Sequence, residues 1–388
     1  MVDMLVRGTL MGQAGAWDIH IAKGRIVSIR RAGRGRADWG SRHSIIAPPL
    51  FDIQVNGWGG IDLQSPTLSV EDVCRLSRGM AAHGVGYWIP TLITGPLGLM
   101  ERTCRIIAQA RRDPVIRRAI PGIHIEGPFI SPHDGPRGAH AKDYVRKPSL
   151  RAFARLQQAA GGAICYITLA PEWNGAPAFI REATAQGVTV AIGHHDASPE
   201  QISAAIEAGA RLCTHLGNGI ASMIHRHFNP IWPQLADDRL AASLLADLDH
   251  LPEPVLKSFV RVKGPERTIL ASDCVHLAGL KPGRYALGGM AVELLPTGRI
   301  CLSGTDLLAG SSCMLLQGVI NAARTTDLTL EQAIACATTV PARILRIPLR
   351  FKPPRPGAKA EFIVFDIKKD PARWQAVLRG VFLDGNPV

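Results

Sequence analysis

The stretch Val188–His215, VTVAIGHHDASPEQISAAIEAGARLCTH, decides the fold. It opens with an apolar run, Val188–Ile192, and turns polar at His194-His195. Ser198-Pro-Glu-Gln then sets an N-cap serine, a proline at the first helical position and a glutamine at the third, ahead of Ile202 and Ile206. A second apolar run, Arg211–Thr214, stops against His215. This reads as strand, helix, strand, with an imidazole directly behind each strand. Outward from it the texture repeats. Gly122-Ile-His-Ile-Glu126, Ile164-Cys-Tyr-Ile-Thr-Leu169 and Thr268-Ile-Leu-Ala-Ser272 read as further strands, and Ser69-Val-Glu-Asp and Thr329-Leu-Glu-Gln as further helix starts. No GxGxxG follows a strand, so the repeat over 48–349 predicts a (β/α)8 TIM-like barrel, an α/β fold, rather than an open sheet.

The two ends of the chain differ from this middle. Asp18-Ile-His-Ile and Arg25-Ile-Val-Ser-Ile-Arg alternate around a Lys23-Gly24 turn, Gly33–Arg42 reads as loop, and Ala360–Asp366 reads as a strand. They predict one small β-sandwich domain, 1–47 plus 350–388, built from both termini around a barrel at 48–349.

Composition narrows the class. In 388 residues 46% are hydrophobic and 20% charged, which excludes disorder and leaves material for a large core. No apolar run approaches the roughly 20 residues of a membrane span, and Met1–Leu10 lacks the apolar core of a signal peptide. Eight cysteines without a CxxC pair suit a reduced, cytoplasmic protein. The net charge is +12. Its densest cluster, Arg30, Arg31, Arg34 and Arg36, carries no interleaved aromatics and reads as a solvated loop, so neither nucleic acid nor membrane is expected as a partner. A positive field still favours a small anionic substrate.

What stands at the strand ends carries the chemistry. Glu126 ends one run, His194 and His195 follow another, His215 a third and Asp273 a fourth. The C-terminal ends of barrel strands converge on one mouth. Glu126, His194 and His215 there offer one oxygen and two nitrogens to a divalent metal with a position left open for water. Asp273 beside it can take the water's proton and hand it to a leaving amine. His124, two residues before Glu126, points to the same side and is expected to support the ligands. His195 should point away from His194, toward substrate or elsewhere. Asp247 and Asp249, near His250, have no strand-end position and default to the surface.

Several blocks then carry a resemblance. Pro48-Pro-Leu-Phe-Asp-Ile-Gln-Val-Asn-Gly, Gly122-Ile-His-Ile-Glu-Gly-Pro-Phe, Arg137-Gly-Ala-His, Gly193-His-His-Asp-Ala, Thr214-His-Leu-Gly-Asn, Ser272-Asp and Leu308-Ala-Gly-Ser resemble the N-acetylglucosamine-6-phosphate deacetylases of the amidohydrolase superfamily over nearly the whole chain. The resemblance implies Glu126, His194 and His215 as metal ligands and Asp273 as the acid/base. It implies one divalent ion per subunit, with zinc expected. Gln54-Val-Asn56 takes the place of a His-x-His pair, as in the single-metal branch. Ala139, His140, Asn218, Gly219, Leu308, Ala309 and Gly310 match sugar-phosphate contacts. Arg226 matches a phosphate-binding arginine, and His250 a histidine that reaches the phosphate from a second subunit, which implies a homodimer. The chain departs from the pattern at Gly217, Gly219 and Ile220 and across His227-Phe-Asn-Pro-Ile-Trp-Pro-Gln. The two glycines are expected to widen the pocket, with Phe228 and Trp232 either refilling it or packing in the core.

The leading reading is hydrolysis of the acetamide of an N-acetylated amino-sugar phosphate, with either His140 or the metal stabilising the oxyanion. A hydrolase for another N-acyl or cyclic amide, and a catalytically silent sugar-phosphate sensor on the same barrel, are the alternatives.

Overall fold

The computed structural model describes residues 3–371 and 373–388. Eight parallel strands, Leu50–Val55, Val85–Leu92, Ile123–Glu126, Ile164–Leu169, Thr189–Ile192, Leu212–Cys213, Ala241–Leu245 and Thr268–Ala271, lie side by side in chain order. The eighth returns to the first. Val55 bridges Cys274 in parallel, and the Asn56 amide donates to the Cys274 carbonyl at 2.8 Å, which closes the barrel.

Helices pack outside each crossover and start where the sequence marks them. Ser69, Ser198 and Thr329 each close a capping box, with Asp72, Gln201 and Gln332 reaching back to the cap amide. Each box satisfies two amides that the first helical turn leaves without partners. Between the eighth strand and the helix Leu315–Thr325, a three-stranded antiparallel sheet (Gly283–Leu287, Met290–Leu294, Ile300–Leu302) folds over the mouth around Val275, Leu277 and Val292.

Both termini meet in one continuous seven-stranded sheet. Phe362–Lys369 pairs antiparallel with Trp39–Ala47, which lies parallel to Met4–Leu10. Its apolar face buries Val6, Ile19, Ile21, Ile46, Phe362 and Phe382. The stretch read as loop to Arg42 is shorter than expected, because strand pairing already begins at Trp39.

Candidate active site

The last inward residues of the barrel strands turn from apolar to polar. Tyr166 is followed by Thr168, Leu212 by Thr214, and Ile269 and Ala271 by Asp273. Just past the strands the backbone is strained. His194 (φ +50°), His215 (φ +32°) and Asp273 (φ +51°) are three of the few non-glycine residues in the left-handed region. Such conformations cost energy and concentrate where a side chain must be aimed.

Two of those side chains aim at one carboxylate. His215 Nε2 lies 2.9 Å from Glu126 Oε1, and His194 Nε2 lies 3.4 Å from the same oxygen. His194 Nδ1 donates to the Pro136 carbonyl at 2.9 Å. A carbonyl only accepts, so Nδ1 holds a ring hydrogen and Nε2 is the nitrogen turned toward Glu126. Burial opposes ionisation of Glu126, yet its bonds to His194 and His215, and their charge, hold it well below the usual carboxylate range. His140 joins them from the loop after the third strand. Its Nε2 is 3.2 Å from His194 Nε2, and Glu126, His140 and His194 bring their ligand atoms within 4.8 Å of one another. His140 Nδ1 accepts from the Thr94 amide at 3.3 Å. In the neutral ring, favoured by burial and by the charge of His194, the hydrogen is then on Nε2 and points into the cavity. The carboxylate and the two imidazole Nε2 atoms fit a divalent cation, and His140 fits a hydrogen-bond donor beside it.

Asp273 is tied to the first strand. Asn56 Nδ2 donates to Asp273 Oδ1 at 2.6 Å, and Gln54 Nε2 donates to the same oxygen at 3.0 Å. Gln54 Nε2 also reaches both oxygens of Glu126, at 3.2 and 3.1 Å. One amide thus bridges the two carboxylates. Burial, then the charge of Glu126, push Asp273 up to about 7. Gln54 Oε1, Asn56 Oδ1 and His215 Nδ1 are buried without partners, the kind of exception that marks a site.

A cavity of about 510 Å³ opens over these groups. Ala139, His140, Asn218, Gly219, His250, Leu308, Ala309 and Gly310 all line it, as do Asn56, Glu126, His194, His215 and Asp273. Other candidates lie elsewhere. His124 is sealed inside the barrel, stacked on Tyr166 at 3.7 Å and bonded to Thr91 and Thr168, so it braces the strands. His195 is buried away from the cavity, with Nδ1 accepting from the Ala197 amide. Arg226 is exposed and outside the cavity wall. His250 lines this chain's own cavity. Its Nδ1 lies 2.6 Å from an Asp247 oxygen, and the Asp247 side chain is itself buried. Asp247 is therefore not a surface residue.

The glycine expectation is also corrected. A Cβ at Gly217 (φ +91°) would stand 2.8 Å from the Phe259 ring, and one at Gly219 (φ +60°) 2.7 Å from His194 Nδ1. These glycines let backbone approach side chains closely and do not widen the space. Phe228 is 75% exposed and Trp232 52% exposed, so neither refills the pocket nor joins the core. Arg299 and Asp306, from the turn before and the loop after the strand Ile300–Leu302, also line the cavity. Sequence reasoning missed them, because their segment carries no periodic pattern linking it to the barrel.

The model of the amidohydrolase family matches residues 45–388. The chain belongs to the amidohydrolase family. It is 30% identical to an N-acetylgalactosamine-6-phosphate deacetylase of Escherichia coli O157:H7 over 322 residues, 83% of this chain and 84% of that one. It is 31% identical to the N-acetylglucosamine-6-phosphate deacetylase of Mus musculus over 376 residues, 92% and 89% of the two chains. The structure of the Mycobacterium smegmatis N-acetyl-D-glucosamine-6-phosphate deacetylase in complex with N-acetyl-D-glucosamine-6-phosphate superposes with a TM-score of 0.84 at 27% identity, covering 100% of this chain and 99% of that one. This amidohydrolase is therefore a hydrolase of amide bonds with a site built for a divalent metal. No helix among the described residues is long and apolar enough to cross a membrane.

Proposed function

We propose that this amidohydrolase removes the acetyl group of N-acetylglucosamine 6-phosphate, giving glucosamine 6-phosphate and acetate. The observation that carries the reading is the meeting of Glu126, His194, His215 and Asp273, from four separate strand ends, in one cavity. Glu126, His194 and His215 would hold the divalent cation, and zinc is the ion proposed, as one that such N/O donor sets accept. When bound, it supplies Lewis acidity to the amide carbonyl and lowers the pKa of water. Asp273, positioned by Asn56 and Gln54, accepts the proton of the attacking water and returns it to the departing nitrogen as the C–N bond breaks. His140 Nε2–H donates to the carbonyl oxygen as it gains charge. The reading includes a homodimer, supported by Met223 (88% exposed) and Phe228 on the loop beside the mouth and Trp232 in the short helix Ile231–Ala236 that follows. It also includes a cytoplasmic setting, supported by eight free cysteines.

The test is acetate release by zinc-loaded protein from N-acetylglucosamine 6-phosphate, from its galactosamine epimer and from the unphosphorylated sugar. Release from the glucosamine phosphate, abolished by chelation and restored by zinc, is expected. Preference for the epimer would move the substrate, and release from neither phosphate would overturn the reading. Sedimentation of the same protein at twice the monomer mass is the expected companion result.

A further inference from the structure

We infer that Thr94 is a positioning residue for the reaction, whose hydroxyl holds the His140 ring with its Nε2 hydrogen toward the cavity; this rests on the deacetylase reading above. Thr94 lies two residues past the strand Val85–Leu92 and is buried. It bonds the His140 ring twice. Its Oγ1 stands 2.9 Å from Nδ1, and its amide donates to the same nitrogen at 3.3 Å. A hydroxyl can give or take a hydrogen, but an amide only gives. The amide therefore leaves Nδ1 as an acceptor, and the hydroxyl must donate to it as well. The hydroxyl makes the shorter of the two bonds. It has no other hydrogen-bond partner among the described residues, and a buried hydroxyl left without one is costly.

The ring needs that second bond, because the χ2 torsion of a histidine is broad and roughly two-fold. Half a turn about χ2 would put carbon where each ring nitrogen now stands. The backbone under the ring is fixed separately. The His140 amide donates to Arg137 O at 3.3 Å, and Arg137 Nη1 donates to His140 O at 2.5 Å. The place of the hydroxyl is also built. Gln64 Oε1 accepts from the Ile93 amide at 2.5 Å and holds the loop one residue before Thr94. Gly127, directly after Glu126, has φ +85°, and a Cβ there would stand 2.2 Å from Thr94 Oγ1. The position behind Glu126 thus carries no side chain, which leaves the hydroxyl its seat. With Nδ1 held as an acceptor, Nε2 keeps the hydrogen on the ring's other side, in the cavity wall. That is the donor an amide oxygen gaining charge requires.

The experiment compares Thr94→Val, which keeps the shape and removes the hydroxyl, with Thr94→Ser, which keeps the hydroxyl. Both are made in zinc-loaded protein, with melting temperature as the folding control. For Thr94→Val the kcat on N-acetylglucosamine 6-phosphate should fall at least about tenfold while KM stays within about twofold, the split expected when a bond made in the transition state is weakened. Thr94→Ser should recover kcat to within about threefold of the wild type. Nitrogen NMR spectra of labelled histidine rings read the hydrogen directly, with His140 assigned by its loss in His140→Gln. The wild type should show a bare Nδ1 and the hydrogen on Nε2, and Thr94→Val a mixture of the two forms. A wild-type Nδ1 that carries the hydrogen overturns the inference, even where Thr94→Val fails to fold. So does wild-type kcat in Thr94→Val, or a Thr94→Ser as slow as Thr94→Val. If the wild type hydrolyses neither sugar phosphate, the deacetylase reading fails separately. The spectra then decide Thr94, since a mixture in Thr94→Val alone supports the positioning role and identical spectra remove it.

Discussion

Toward the starts of the barrel strands, Phe51, Ile53, Tyr87, Ile89, Tyr166 and Ile269 pack on Val340, Leu345 and Phe351 and close the interior with apolar side chains. At the other end the same strands finish in Gln54, Glu126, Thr168, Thr214 and Asp273 around an open cavity. The floor has well-packed apolar side chains. The mouth has left-handed histidines and an aspartate, two carboxylates bridged by one amide, and buried polar atoms without partners. The difference shows how one set of strands can divide its labour: burial at the floor stabilises the barrel, and the strain at the mouth persists because that packing holds it in place.

If that division holds, the largest effect belongs to Asp273→Asn. It should lower kcat about 10³–10⁴-fold, the range for loss of a general acid/base, with no fall in melting temperature. A variant that unfolds would break the comparison. At the floor, Ile269→Ala should do the reverse. It removes a fully buried side chain and should cost about 3 kcal/mol in urea unfolding, while zinc-loaded kcat/KM stays within about threefold. Loss of activity without loss of stability would show that floor packing tunes the mouth directly.

Asp52 sits between the two regions and sharpens the boundary. It is fully buried, its Oδ1 accepts from the Gln54 and Ser272 amides at 3.3 and 3.2 Å, and its Oδ2 has no partner. Burial pushes it up to about 6, against about 3.9 in an unfolded chain. The folded state therefore holds this proton more tightly. The resulting stability is fully present below about pH 4 and is lost as pH rises through about 6, a change of about 3 kcal/mol. Asp52→Asn cannot titrate, so the wild-type-minus-variant stability should fall across that window in denaturant melts. A flat difference would mean that Asp52 is solvated in the folded protein.

The barrel was legible because each strand is short, apolar and followed by a polar residue, and because the helix starts at Ser69, Ser198 and Thr329 carry their own capping chemistry. Strands such as Val85–Leu92, with Gly86 and Pro90, and Ala241–Leu245, which reads as well for a helix, gave weaker signals. At the site, strand-end position pointed to Glu126, His194, His215 and Asp273, since following a strand is a property of sequence. The directions of His195, Arg226 and His250 were not legible, because each depends on one tertiary partner or on its lack. His195 is turned by the chain after it, and His250 by Asp247. Arg299 reaches the cavity only because a whole inserted sheet folds back over the mouth.

The smallest expected effect tests what being at the mouth means. Ser198 lies four residues after His194, at the same end of the barrel. Its Oγ faces away from the cavity and accepts from the Gln201 amide at 3.4 Å, while Gln201 Oε1 accepts from the Ser198 amide at 2.8 Å. Its work is to cap the helix Pro199–Ala208. Ser198→Ala should therefore cost about 1 kcal/mol in urea unfolding and leave kcat/KM within about twofold. A tenfold loss of activity at unchanged stability would show that the cap sets the left-handed turn at His194, and the line between stabilising and chemical residues would then follow the loop as a unit. The smaller outcome places that line inside the loop, between a side chain turned into the cavity and another, four residues on, turned back to its helix.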